Sequence, residues 1–591
     1  KTTSFQEWAK QLTNYAQTER LKSEITYWLQ KSDADVVTLP VDYPGEDNTF
    51  ASVSNISVSL NETETLALIQ EVPKAYKTQI NDVLLTALAL VLNRWTNSNR
   101  VMFNLEGHGR EELIEGLDLS RTIGWFTSLF PVLVELEQPN LQHIGDILKS
   151  VKEQLRAIPS KGIGYGILRY LCHDQEIVTQ LQTRKLAEIS FNYLGQFSQI
   201  ANQSSPIELA KESNGNNQSV EGQRPCLLDI NAIIANERLQ IDWTYSSNLH
   251  RSETIEKIAQ EFVVTLQEII AHCLAPENGG YTPSDFPLVK LTQQQLDSVI
   301  VSLFSTAGQE KEINWRNVED IYPLSPMQQG MLFESLYAPD SGVYFEQITS
   351  TLIGDIEVAT FEQAWQQVVA HHSIFRTAFV WESLAQPVQV VLRQVEVKLH
   401  THDWRELSAP QQQQELEVFL HTEQQQGLDF SLAPLMRLHL IQLNENTYQF
   451  IWSHHHILLD GWSLPLVFQD LLNSYQTIAE GRGFDYQLAQ NYRHYIAWLQ
   501  QQDVAKSQTY WREKLQGFSA PTPMTFDKPL SNREKGNNAN YGEKEIKLSV
   551  SATKKAQSFA REHQLTLNNL VQTTWALLLS RYSQETDIVF G

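Results

Sequence analysis

The segment 81–95 (NDVLLTALALVLNRW) returns 487 positions later as 568–582 (NNLVQTTWALLLSRY), and at the same offset Val101-Met102-Phe103 meets Ile588-Val589-Phe590. An apolar pattern of helical period followed by a short strand thus recurs without a gap. The chain therefore samples two homologous units of roughly 490 residues each. With 591 residues in all, position 1 falls part-way through the first unit and position 591 inside a strand of the second, where unpaired backbone groups require a partner. The expectation is a fragment of a longer protein, or a chain completed by another. A first residue of Lys rather than Met points the same way.

Helix-period patterns such as 82–95 and 255–272 alternate with short apolar runs such as 101–105, 131–136 and 449–452, giving a mixed α/β texture. Polar stretches at 198–225 and 276–284 read as loops, and the second, with Gly279, Gly280 and two prolines, is the better domain boundary. Acidic residues outnumber basic ones, 69 to 45, for a net charge of −24. Nucleic acid and anionic membrane surfaces are therefore poor partners. The three cysteines, Cys172, Cys226 and Cys273, are odd in number and far apart, which excludes a disulfide framework and a spaced metal cluster. The longest apolar run, 83–92 broken by Thr86, is shorter than the ~20 residues a bilayer helix needs, and the start lacks an apolar secretory core. A soluble, cytoplasmic protein is expected.

The sharpest local signal is Ser453-His454-His455-His456-Ile-Leu-Leu-Asp460-Gly461-Trp462-Ser463, following the apolar run 448–452. A histidine where a strand hands over to a loop is well placed to meet substrate. Its imidazole titrates near neutrality, so it can take the proton of an amine or hydroxyl attacking an acyl carbonyl. An aspartate four residues on can hold the turn, and the glycine after it lets backbone approach a ligand. Consecutive histidines also suit a metal site or a satisfied core cluster. Adjacent strand residues point to opposite faces, however, so the three cannot share one metal, and no metal site is expected.

The run His455-His456-Ile-Leu-Leu-Asp460-Gly461 matches HHxxxDG, the signature of the condensation-domain superfamily of nonribosomal peptide synthetases, and the chain resembles that superfamily in further motifs. Tyr322-Pro-Leu-Ser-Pro-Met-Gln-Gln-Gly-Met-Leu-Phe333 is similar to its opening motif, His371-His-Ser-Ile-Phe-Arg376-Thr-Ala-Phe379 to the second, and Asn491-Tyr-Arg-His-Tyr-Ile-Ala-Trp498 to the fourth. The first half resembles the epimerization branch. It carries Glu106-Gly-His-Gly-Arg-Glu111, Arg121-Thr-Ile-Gly-Trp-Phe-Thr127, Gly162-Ile-Gly-Tyr-Gly166 and Phe191-Asn-Tyr-Leu-Gly-Gln-Phe197, in order.

The resemblance implies an α/β fold of tandem chloramphenicol-acetyltransferase-like lobes. Residues 1–290 would be the C-terminal lobe of an epimerization domain, 291–318 a linker, 319–480 the N-terminal lobe of a condensation domain, and 481–591 the start of its second lobe. It implies amide formation at His456, as general base or as the group that positions the amine, with His455, Asp460 and Gly461 completing the motif. At the first unit it implies that Glu106 and Tyr193 serve inversion of an aminoacyl or peptidyl Cα. Standing alone, Glu106 would read sooner as a surface carboxylate and Tyr193 sooner as a core aromatic. Arg376, Trp462, Ser463, His108 and Asn192 are implied as substrate-binding or supporting residues.

No cofactor is expected to be bound covalently. Phosphopantetheine would be supplied by upstream and downstream peptidyl carrier domains, whose aminoacyl and peptidyl thioesters are the substrates, and an adenylation domain would load them. The absence of GxxxxGK[ST] and of a carrier serine after Gly279-Gly280 means that this chain does neither job itself. An epimerization unit upstream implies a condensation domain of the D-donor/L-acceptor type. Arg376 is expected to pair with Asp460, and His371-His372 to be structural within a helix. A freestanding coenzyme A-dependent acyltransferase and an inactive docking module remain the competing functions.

Overall fold

The computed structural model describes residues 2–30, 36–45, 47–137, 139–184, 187–196, 215, 218–306, 309–310, 314–482, 490–520, 522–523 and 544–590. Most of the expected loop 198–225 lies outside the described residues, as do Phe197 and Gly591. The chain divides into two compact units, Lys1–Arg316 and Asn317–Gly591.

The repeat appears as two helices in identical phase, Ile80–Thr96 and Leu567–Ser583. Each opens on a capping box, Gln79 with Asp82 and Thr566 with Asn569, which satisfies first-turn N–H groups. Each closes on a left-handed residue, Asn97 (φ 53°) and Gln584 (φ 63°). The strand that follows differs. In the first unit it is paired on both sides. Residues 588–590, expected as a strand, are not one: Val589 instead bonds through its N–H and C=O to the Thr522 hydroxyl (3.1 and 2.9 Å). No strand neighbours 588–590 among the described residues, and without a ladder an extended segment is not a strand.

The first unit is built on a sheet of β1 (Val53–Ser59), β2 (Arg100–Gly107), β3 (Ser128–Glu135), β4 (Ile189–Gln196), β5 (Leu228–Ala235) and β6 (Arg238–Ser246), ordered β1-β6-β5-β4-β2-β3. The central β4 runs parallel to both β2 and β5. One face is apolar. Phe103, Phe191, Ile230, Ile241 and Trp243 are fully buried on it, beneath the helices Ile80–Thr96 and Ser252–Leu274. Each such side chain contributes about 1.5–3 kcal/mol. The opposite face is polar, because register puts Glu106 beside Asn192, then Asn231, Asp242 and Ser57 along one row. The first unit thus carries its polar row on one side of the sheet, away from the apolar core.

The segment 276–284 is tied to this unit: the Gly280 N–H donates to the Ala75 carbonyl at 2.9 Å. A Cβ at Gly279 would lie 1.9 Å from the Trp315 ring, so glycine is required there. Just beyond, Asp285 receives both oxygens' worth of hydrogen bonds from Lys152 Nζ (2.8 Å each), and Lys152 also donates to the Tyr76 carbonyl (2.9 Å). Lys152 is 1% exposed and Asp285 8%. Removing one partner of such a pair strands the other charge, so Asp285→Asn is expected to destabilise the first unit by about 3 kcal/mol. A melting curve that does not move would refute this.

The first unit ends with a small antiparallel pair, β7 (Ser305–Thr306) and β8 (Gln309–Glu310), and among the described residues of the second unit seven strands make two sheets. β9 (Val318–Pro323), β11 (Thr377–Val380) and β12 (Val388–Leu392) form one, in the order β11-β12-β9; β10 (Phe345–Ile353), β13 (Leu399–Asp403), β14 (Met436–Asn444) and β15 (Thr447–His455) form the other, ordered β10-β15-β14-β13. β15 is flanked on both sides and buried almost throughout. The helices Val358–His371 and Leu464–Ala479 cover it, Trp365 meeting Trp452 edge-on at 5.0 Å. No described helix is long and apolar enough to cross a membrane, and the three cysteines are buried and free.

Candidate active sites

His456 is the first residue past β15. Its N–H donates to the carbonyl of Tyr344 at 2.8 Å, and Tyr344 takes a left-handed conformation (φ 64°) to offer it. On the ring, Nδ1 lies 2.9 Å from the Leu459 carbonyl oxygen. A carbonyl can only accept, so Nδ1 carries the hydrogen and the neutral ring keeps its lone pair on Nε2. His456 lines a cavity of about 750 Å³ together with Ser325, Gln328, His371, His372, Asp460, Ser463 and Tyr492.

The other two histidines of the run are held in the interior. His455 accepts from the Ile457 N–H at Nδ1 (3.1 Å), which leaves Nε2 to donate to Ser335 Oγ (3.0 Å). Its ring packs on Phe430 at 4.8 Å, and it does not line the cavity. His454 stacks on Trp452 at 4.5 Å. Burial, reinforced by neighbouring imidazoles, pushes both down to about 4. The alternation expected of a strand sends the two rings to opposite faces, and both faces are covered.

Asp460 holds the turn by itself: Oδ1 accepts from the Ser463 N–H (3.0 Å) and hydroxyl (2.7 Å). The expected Arg376–Asp460 pair is not formed. Arg376, 7% exposed, binds Glu319 of β9 at 2.6 Å and also donates to the Leu392 carbonyl. It sits in the short turn leading into β11, so its guanidinium closes the three-stranded sheet rather than reaching the histidine loop. Beside Asp460, a Cβ on Gly461 would meet nothing within 4 Å, and Trp462 is 89% exposed, so this stretch has room for another chain or ligand.

His371 and His372 are not embedded in a helix interior. His371 is the last residue of Val358–His371 and His372 its C-cap, and both reach the cavity. His372 Nε2 lies 2.8 Å from Asp470 Oδ2. Sequence reasoning missed Asp470, Tyr344 and the cavity role of this pair. The doubled histidine was the one available signal.

In the first unit Glu106, at the end of β2, accepts a hydrogen bond from Asn192 Nδ2 at 2.7 Å. Burial, with Asp229 adding repulsion, raises its carboxyl above the usual range. Tyr193 follows Asn192 on β4, is partly buried against the apolar core, and has its hydroxyl raised by burial. Glu106 and Asn192 are thus brought together, and Tyr193 is not their hydrogen-bond partner. His108 is outside the strand and 65% exposed; it pairs with Glu111 (3.1 Å) and accepts from the Arg110 N–H (3.0 Å). The turn depends on Gly109 (φ +65°), where a Cβ would fall 1.6 Å from the Phe126 carbonyl oxygen.

Compared with known families, the chain matches the Condensation domain over residues 1–292 and again over 318–591. It belongs to the condensation-domain family. The two matches correspond to the two units, and the unmatched 293–317 holds the helix Gln293–Phe304 and the small antiparallel pair. Among relatives, linear gramicidin synthase subunits C and D of Brevibacillus parabrevis are each 47% identical over the whole chain, and bacitracin synthase 1 of Bacillus licheniformis is 35% identical. The chain spans only 7% to 11% of the length of these three. Among solved structures, the epimerization domain from the third module of tyrocidine synthetase B is 39% identical, with a TM-score of 0.43 over 46% of this chain and 61% of that one.

Proposed function

We propose that the chain is the junction between an epimerization domain and a condensation domain in a nonribosomal peptide synthetase. The second unit joins an upstream carrier-bound peptidyl thioester to the α-amine of a downstream carrier-bound aminoacyl group. One observation carries this reading: the Leu459 carbonyl fixes His456 with its basic nitrogen unspent, on the wall of a cavity roomy enough for a thioester arm. The amine nitrogen attacks the thioester carbon, the C–N bond forms as the C–S bond breaks, and the proton given up by the amine ends on the departing thiol of the upstream carrier; His456 Nε2 relays that proton or holds the amine in line. The relatives, gramicidin synthase subunits that align with the whole of this chain and so with both units, support the tandem arrangement. His455, Asp460 and Ser463 keep the loop in shape, and the exposure of Trp462 and the open space at Gly461 support a role for them in meeting a carrier-borne substrate.

The partners of this reading are two carrier domains bearing phosphopantetheine and an adenylation domain that loads them, in the cytoplasm. Because the epimerization unit comes first, the donor ends in a D-residue. The test is dipeptide formation from two loaded carriers by the chain in its synthetase context. A preference for an L-ending donor would overturn the stereochemical assignment.

In the first unit, a carboxyl with raised affinity for protons suits removal and return of a Cα proton. Asn192 orients it, and Tyr193 supports the strand end. Glu106→Gln keeps the size and the hydrogen-bonding group facing Asn192 but cannot exchange a proton. Epimerization followed by chiral chromatography is expected to slow by about 10²-fold; an unchanged rate would remove Glu106 from the chemistry.

A further inference from the structure

We propose that His371, His372 and Asp470 form a binding site for a divalent first-row transition ion of the Zn²⁺ type, beside the His456 cavity, which the two histidines line. Among the described residues they are one group of three in which a ligand atom from each lies within 4.8 Å of the others. Two elements supply them. His371 and His372 end the helix Val358–His371, and Asp470 comes from Leu464–Ala479, which packs beside it.

Two neutral imidazoles and a carboxylate are a donor set that zinc favours, whereas Mg²⁺ and Ca²⁺ demand mostly oxygen. Zinc bonds to such ligands of about 2.0–2.2 Å place donor atoms a little over 3 Å apart. His372 and Asp470 are already in contact at 2.8 Å, so the closing movement falls mainly on His371. That residue is half-buried at a helix end and lines the cavity. The side chains of His372 and Asp470 retain 22% and 27% exposure, so an ion can reach them from solvent. Three protein ligands would leave a fourth position for water or a ligand. The simpler role for the same groups is a hydrogen-bonded clasp between two helices.

The test is calorimetric titration of the chelator-treated chain with Zn²⁺, and separately with Mg²⁺. One zinc site is expected and no magnesium site. Asp470→Asn and His371→Gln should each weaken zinc binding at least about tenfold, without shifting the melting temperature of the metal-free chain by more than a few degrees. His456→Ala should bind zinc as the unaltered chain does. Absence of zinc binding leaves the clasp as the whole role and overturns the proposal. So does binding that survives both substitutions, or binding lost in His456→Ala, since the ion would then sit elsewhere.

Discussion

His456→Ala is expected to slow dipeptide formation by about 10²–10⁴-fold, the range over which a positioned proton acceptor acts, while the second unit stays folded. The structural cost is small because the residue's two bonds are of different kinds. Its N–H bond to the Tyr344 carbonyl belongs to the backbone and survives the substitution. Only the Nδ1 contact with the Leu459 carbonyl is lost. That oxygen borders an open cavity, where water replaces the donor at a cost of about 1 kcal/mol or less. A large fall in rate with a nearly constant melting temperature would therefore locate the effect in the chemistry. The measurement is product formation from two loaded carrier domains, with the chain in its synthetase context. Turnover of soluble coenzyme A thioesters without carriers would instead favour a freestanding acyltransferase. An unchanged rate in His456→Ala would leave only a docking role. The pH profile separates the two duties of the ring: a base loses activity as the imidazole protonates, whereas a positioning group retains part of its effect in His456→Asn.

The helix of the repeat was legible because its signals are local. Apolar spacing, a capping pair three residues apart and a polar residue able to turn left-handed all lie within one stretch, so both copies begin and end in the same phase. The placement of His456 at a strand end was legible for the same reason. The partner of Arg376 was not, because Glu319 and Asp460 are distant in sequence and composition does not say which of two sheets the arginine closes. Nor was the cavity role of His371 and His372, since the doublet reads like any helical pair until Asp470 is brought beside it by helix packing. Tyr193 shows a subtler limit. Alternation along β4 puts Asn192 rather than Tyr193 on the face of Glu106, and that assignment needs the register between β2 and β4. The strand expected at 588–590 fails on similar grounds, since a strand is defined by its neighbours and the residues themselves supply only the propensity.

Between about pH 7.5 and pH 5 the second unit is expected to lose about 4 kcal/mol of stability, roughly 2 kcal/mol for each of His454 and His455. Both are almost fully buried on β15, at 2% and 4% exposure, and burial pushes each down to about 4 from an ordinary value of 6.5. In the unfolded chain they protonate as the pH falls through that ordinary value, whereas in the fold they stay neutral. The unfolded state then binds more protons, so stability is complete above about pH 6.5, falls as the pH drops toward 4, and loses no more from these groups below it. Carboxylates act in another window. Glu423, held at about 2 by His439 and Arg437 despite its burial, gives up its contribution only below its ordinary value of 4.5. Hydrogen exchange of the β15 amides reads the effect, because a central strand paired on both sides opens only with its unit. His454→Phe keeps an aromatic ring stacked on Trp452 and removes one titrating group. It should therefore abolish about half of the pH dependence while leaving the remainder to His455. If the full drop persists in that variant, the acid sensitivity of the unit arises outside β15.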